Sequence, residues 1–174
     1  MNWRNACCAG MLVILCQHTH GASADRSEVA EIRADRVTID QQQQVSRYFG
    51  HVEFSQGSVW MTGDEVILAT RDGELRLIDI RGTPATYREI DDAGQQMRAR
   101  AEEIFYDTDA GLIRLQGNAH LCRGGEYFRS AYIEYNTQTR AVNAGKPGAT
   151  ESERVRITLR PGNTPSPTDC EDMP

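Results

Sequence analysis

The side chains able to do chemistry near neutral pH are few, and their positions argue against a reaction centre. His18 and His20 lie close to the N-terminus, while His51 and His120 follow turn glycines on the polar side of alternating segments. They read as exposed strand histidines, and no metal site is expected from them. The run Asp107-Thr108-Asp109-Ala110-Gly111 resembles the start of a calcium loop. It lacks the third oxygen ligand at the right step and the closing glutamate, so a hairpin turn rich in Asp and Gly is the simpler reading. No nucleophile elbow, phosphate-cradling glycine loop or zinc spacing occurs. Carbohydrate hydrolysis usually needs two carboxylates facing one bond. Here the acids alternate outward, so no enzyme, catalytic residue or cofactor is expected.

The chain carries 25 acidic against 19 basic residues in 174, a net charge of -6. That balance disfavours nucleic acid, whose phosphates call for clustered Lys and Arg, and docking by charge on an anionic membrane. Arg4, the short apolar stretch 6–16 and the small residues Ala22-Ser23-Ala24 have the layout of a secretory signal peptide, cut after Ala24 to remove residues 1–24. The apolar run is shorter than the roughly 20 residues that span a bilayer. Cys7, Cys8 and Cys16 leave with this leader, and Cys122 and Cys170 remain, either unpaired or incidentally paired.

The elements that must position these side chains are strands. Apolar and polar residues alternate with period two from Val29 to Arg160: Val37 and Ile39, Val52 and Phe54, Ala85 and Tyr87, then Val155, Ile157 and Leu159. Turn chemistry separates the runs at Gln56-Gly57, Arg71-Asp72-Gly73, Asp91-Asp92-Ala93-Gly94, Asp109-Ala110-Gly111 and Gly124-Gly125. A shift of 67 residues, which brings Gly50 onto Gly117, superposes Arg33-Ala34-Asp35-Arg36-Val37 on Arg100-Ala101-Glu102-Glu103-Ile104 and Asp40 on Asp107. Val66 then falls on Ile133, and Leu68 on Tyr135. The expectation is an all-β domain over residues 25–161, built from repeated antiparallel hairpins that share one interior. Gly50, Gly82, Gly117 and Gly145 are expected to bend the sheet around its apolar face. The Pro-rich polar tail, 162–174, is expected to be disordered.

The inward set inferred from alternation is Val37, Ile39, Tyr48, Val52, Phe54, Val59, Met61, Val66 and Leu68 in the first part of the chain. It continues with Ala85, Tyr87, Ile104, Tyr106, Ile113, Leu115, Leu121, Phe128, Ile133 and Tyr135. It holds no Asp, Glu, His, Lys or Arg. An interior of this kind suits an apolar ligand or none.

The order Ala34-Asp35-x-Val37-x-Ile39-Asp40, Tyr48-Phe49-Gly50-His51-Val52, Gln56-Gly57 and Gly63-Asp64-x-Val66 resembles the OstA-type domain. So do Gly82-Thr83-Pro84-Ala85-Thr86-Tyr87, Leu115-Gln116-Gly117-Asn118-Ala119, Gly145-Lys146-Pro147 and Arg154-Val155. With a leader and little beyond the domain, the pattern is most similar to the LptA family of periplasmic lipopolysaccharide transport proteins. The resemblance covers roughly residues 29–161. It implies a β-jellyroll-like open barrel whose groove takes the acyl chains of lipid A. It also implies LptC of the inner-membrane transporter, LptD of the outer-membrane translocon and further copies of the chain, stacked head to tail through edge strands, as partners. The groove residues expected from the inward set are all of it except Val59, Val66, Ala85, Ile113 and Ile133, and the resemblance places Ile39, Tyr87 and Tyr106 at family lipid-contacting positions. A secreted structural or adhesive β-repeat protein without a lipid ligand is the competing reading. The expanded run Gln41 to Gln44 and the Pro-rich tail depart from the family pattern.

Overall fold

The computed structural model describes residues 28–90, 94–145, 150, 154–159 and 170. The expected signal peptide, and the expected tail apart from Cys170, lie outside the described residues. Within them the alternating runs form one antiparallel sheet of ten strands. These are β1 (Glu31–Arg33), β2 (Arg36–Asp40), β3 (Val45–Gln56), β4 (Val59–Arg71), β5 (Glu74–Ile90), β6 (Gln96–Asp107), β7 (Leu112–Arg123), β8 (Glu126–Asn136), β9 (Val142–Ala144) and β10 (Arg156–Leu159). Strands β3 to β8 follow one another as a meander. At one end β1 and β2 both pair with β3, and at the other β9 and β10 both pair with β8. Among the described residues the two ends are not hydrogen-bonded to each other, so the sheet stays open.

A line of register shifts crosses the sheet between Phe49 and Val52, Thr62 and Glu65, Arg81 and Ala85, Arg100 and Glu103, and Gln116 and Ala119. Each shift bends its strand, and together they crease the sheet into two facing halves. The facing is visible where Tyr87 of one half meets Tyr106 of the other edge-on, with ring centroids 6.1 Å apart. Of the four glycines expected to bend the sheet, Gly50 and Gly117 do so with φ of 78° and 73°. Gly82 lies in the β5 shift without a positive φ, and Gly145 follows the end of β9 instead of interrupting a strand.

The internal repeat is physical. A Cβ on Gly50 would stand 2.2 Å from the carboxylate of Asp35, and one on Gly117 would stand 2.4 Å from that of Glu102. In each copy the acid lies across the glycine and bonds the next residue: His51 Nδ1 to Asp35 at 3.0 Å, and Asn118 Nδ2 donating to Glu102 at 2.8 Å. Asp40 and Asp107, also 67 residues apart, each accept two backbone N–H groups of the following turn through one carboxylate oxygen. Asn136 accepts the N–H groups of Gln138 and Thr139 in its own turn through its side-chain amide oxygen. The Asp107 segment is thus a side-chain-capped hairpin turn. What is a single strand in the second copy, β6, is broken in the first into β1 and β2.

Cys122 and Cys170 are joined in a disulfide with Cα atoms 5.7 Å apart. This settles the pairing that the sequence left open. It ties a residue of the expected tail to β7, and Cys170 is buried there.

Candidate functional site

Directly paired residues on neighbouring strands share a sheet face, so the interior can be read as rows running across the strands. In one half the first row is Ile39, Ser46, Leu68, Ile78, Tyr106, Ile113, Tyr135 and Val142. Beside it runs Val37, Tyr48, Val66, Ile80, Ile104, Leu115, Ile133 and Ala144. In the other half the main row is Ile32, Phe54, Met61, Tyr87, Ala99, Leu121, Phe128 and Ile157. Ser46 is the one polar member of these three rows. The sheet therefore presents an almost wholly apolar inner surface from its first strand to its last.

Of the fourteen groove candidates, ten are buried against one another: Val52, Phe54, Met61, Leu68, Tyr87, Ile104, Leu115, Leu121, Phe128 and Tyr135. Tyr48 and Tyr106 pack against that core while staying partly exposed. Val37 and Ile39 lie on the same face, yet they are 49% and 62% exposed because no described strand covers β2. At the opposite end Ile157 and Leu159 of β10 are likewise uncovered. The middle of the trough is thus closed by its own side chains, and apolar surface is open at both ends. A cleft of about 240 Å³ at the first end is lined by Ile39, Ser46, Val45, Thr70 and the turn residues Asp40, Gln41 and Gln44. The polar glutamine run therefore borders the apolar mouth.

The expectation that no charged side chain faces inward needs a correction at one rim. Glu89 lies two residues beyond Tyr87 on the same face and accepts a 2.7 Å hydrogen bond from its hydroxyl. Arg123 pairs with the core residue Met97, and its guanidinium lies over the Tyr135 ring, 5.7 Å from the centroid. Alternation near these strand ends passes from apolar to charged without a change of face, and a count of apolar residues does not reveal that.

The histidines also divide. His51 is exposed, as expected, and its hydrogen bond to Asp35 raises its pKa. His120 is buried on the outer face, where the Tyr127 hydroxyl bonds its Nδ1. Burial, with Arg100 and Arg129 nearby, lowers its pKa from 6.5 to about 4. The fold therefore holds the neutral ring, whereas the unfolded chain takes up a proton near the ordinary value. Stability from this group is present above about pH 6.5 and is lost as pH falls toward about 4. Urea midpoints followed across that window should fall less steeply in His120→Gln than in the parent. Equal slopes would remove His120 from the acid response.

Among the described residues no group of three or more His, Cys, Asp or Glu side chains is arranged to hold a metal ion. No described helix is long and apolar enough to cross a membrane. What the site offers is a creased apolar surface with charged groups at one rim and uncovered aliphatic side chains at its two ends.

Comparison with known proteins agrees with that geometry. The chain is 29% identical over 140 residues to the lipopolysaccharide export system protein LptH of Pseudomonas aeruginosa, covering 78% of this chain and 80% of that protein. It is 26% identical over 141 residues to the lipopolysaccharide export system protein LptA of Escherichia coli K12, covering 80% and 75%. The crystal structure of Pseudomonas aeruginosa LptH, described as the LptA-homologous periplasmic component of a lipopolysaccharide transport device, superposes with a TM-score of 0.70 at 27% identity. That match covers 79% of this chain and 99% of the other, so the same jellyroll-like open sheet underlies both. The family model for the LptA/(LptD N-terminal domain) LPS transport protein matches residues 31–141, and the chain belongs to that family.

Proposed function

We propose that this chain is a periplasmic carrier that holds lipopolysaccharide by its acyl chains and passes it from an inner-membrane transporter to an outer-membrane translocon. The observation that carries this reading is the inner face, almost wholly apolar away from its charged rim and ending in the uncovered side chains Val37 and Ile39 at one edge and Ile157 and Leu159 at the other. Burying one CH₂ is worth about 0.8 kcal/mol, so a fully enclosed chain of roughly twelve carbons would contribute about 9 kcal/mol. Several such chains together would exceed the affinity that any non-covalent complex reaches, and release would stall. A trough that must part its own packed side chains, including the Tyr87–Tyr106 contact, offsets part of that gain and keeps binding reversible. Glu89 and Arg123 at the rim suit the polar end of an amphipathic ligand. The fourteen groove candidates are proposed to line the acyl path, with Val37 and Ile39 at its entrance or exit. Lipid A should be detectable by mass spectrometry in protein extracted gently from a lipopolysaccharide-producing host. Photo-crosslinkers at Ile39, Tyr106 and Ile157 should capture it, and protein that is lipid-free and uncrosslinked would count against the carrier.

The open edges supply the second half of the reading. Edge strands template pairing with another chain, and joining the β9/β10 edge of one copy to the β1/β2 edge of the next gives an open-ended, head-to-tail stack. Edges of the same kind are proposed to meet the partners that the family implies, LptC and LptD. A charge on such an edge blocks pairing. Ile157→Lys should therefore shift the protein toward monomer in concentration-dependent light scattering while its circular dichroism is retained. An unchanged distribution would exclude β10 from the contact.

A further inference from the structure

The outer faces of the two half-sheets are charged in different ways. On the half bearing β2 and β9, acids and bases pair across and along the strands: Arg81 with Asp79 at 2.8 Å and Glu103 at 3.2 Å, and Arg114 with Glu134 at 3.2 Å. On the other half, Arg33 pairs with Glu31 at 2.8 Å and lies 3.9 Å from Glu53 at the β1 edge, but farther across the sheet cations stand beside cations. Arg88 stands directly opposite Arg98, and the next row runs Thr86, Arg100, His120, Arg129, Arg156. Like charges directly opposite each other destabilise a sheet, and here they recur in a chain of net charge -6. Among the described residues Arg100 and Arg129 form no ion pair with a carboxylate. Both border a cleft of about 440 Å³ at the outer side of the crease, together with Thr83, Pro84, Ala101, Glu102, Asn118 and His120.

We propose that this cleft is an anion site, in which Arg100 and Arg129 grip a phosphate group from two sides while Thr83 supplies a hydroxyl. Guanidinium groups match phosphate oxygens in geometry and charge. A bound phosphate would also offset the like-charge contact between Arg129 and Arg156, which stand directly opposite each other. Glu102, the one acid on the cleft, has an oxygen engaged by Asn118 at 2.8 Å and leaves the two arginines in excess. The site lies on the face opposite the apolar trough and is independent of the acyl-chain reading. The phosphate could be free or could belong to a lipid headgroup; the recognising chemistry is the same.

The test uses the whole mature chain, with inorganic phosphate and pyrophosphate titrated against chloride at matched ionic strength. Vesicles of phosphatidylcholine with and without phosphatidylglycerol form a second arm. Saturable binding is expected in calorimetry, with a rise in Tm and an upward shift of the His120 titration in NMR as the neighbouring cations are neutralised. Arg100→Gln and Arg129→Gln should each weaken binding by roughly tenfold or more. Arg36→Gln, at a distant guanidinium stacked on Phe49, should leave it unchanged. Without anion, Arg129→Gln should be at least as stable as the parent, because it relieves the repulsion against Arg156 directly opposite. Binding of soluble phosphates marks a site open to free anion, whereas binding confined to phosphatidylglycerol vesicles and lost in both cleft variants marks a headgroup site. No binding in either arm, or binding unaltered by the two cleft substitutions, overturns the proposal.

Discussion

Gly117→Val is expected to cost the fold roughly 2–4 kcal/mol, read as a lower urea midpoint at unchanged m value. Two effects add. The residue sits at φ 73°, where a β-branched side chain is strained by about 1–3 kcal/mol. Its new Cβ would also press on Glu102, 2.4 Å from a carboxylate oxygen and 2.9 Å from that residue's own Cβ. Moving Glu102 aside breaks its hydrogen bond with Asn118, worth about 1 kcal/mol or more. Gly73 is the internal control, since its φ is 82° and nothing lies within 4 Å of the Cβ position. Gly73→Val should show the backbone strain alone. If the two variants lose the same stability, crowding at the crease contributes nothing, and the acid-over-glycine arrangement shared by Asp35 and Gly50 loses its structural meaning.

Tyr106→Asp carries the larger functional effect. Tyr106 is partly exposed, packs on the core from one half and meets Tyr87 of the other edge-on. An aspartate there would place a carboxylate where an acyl chain is proposed to run. A charge facing hydrocarbon without a partner is heavily penalised, so lipid loading should fall by roughly tenfold or more. The position is not fully enclosed, so the fold itself should survive with about 2 kcal/mol less stability. Tyr106→Phe keeps the ring and should keep loading. Bound lipid quantified by mass spectrometry, alongside urea unfolding of the same preparations, separates the two effects. Loading that persists in a folded Tyr106→Asp protein would mean that the acyl path does not run between the two halves.

Alternation made the faces legible. Period two alone puts Val52 and Phe54, Met61, Ile104 and Leu115 on the inward face, and all are buried. Period two reports the face on which a side chain stands, not what covers it, which is why Val37 and Ile39 share the core rows and yet remain exposed. Coverage depends on the neighbouring strand, and among the described residues β2 has none on its outer edge. His120 differs for the complementary reason: it stands on the nominally polar face but is roofed by Tyr127 from the next strand. The Cys122–Cys170 bond spans 48 residues, and two distant cysteines carry no local signal of their pairing. The 67-residue repeat, by contrast, was legible because both the glycine and the acid lying on it recur.

The row of register shifts has a mechanical corollary. Backbone pairing is already interrupted along one line, so a parting of the two panels about that line, as a book opens on its spine, would leave every rung on either page intact. On this reading cargo is admitted by a change of angle rather than by unzipping, and the expected sign of it is that amide protons on both pages stay protected from exchange while the leaves part.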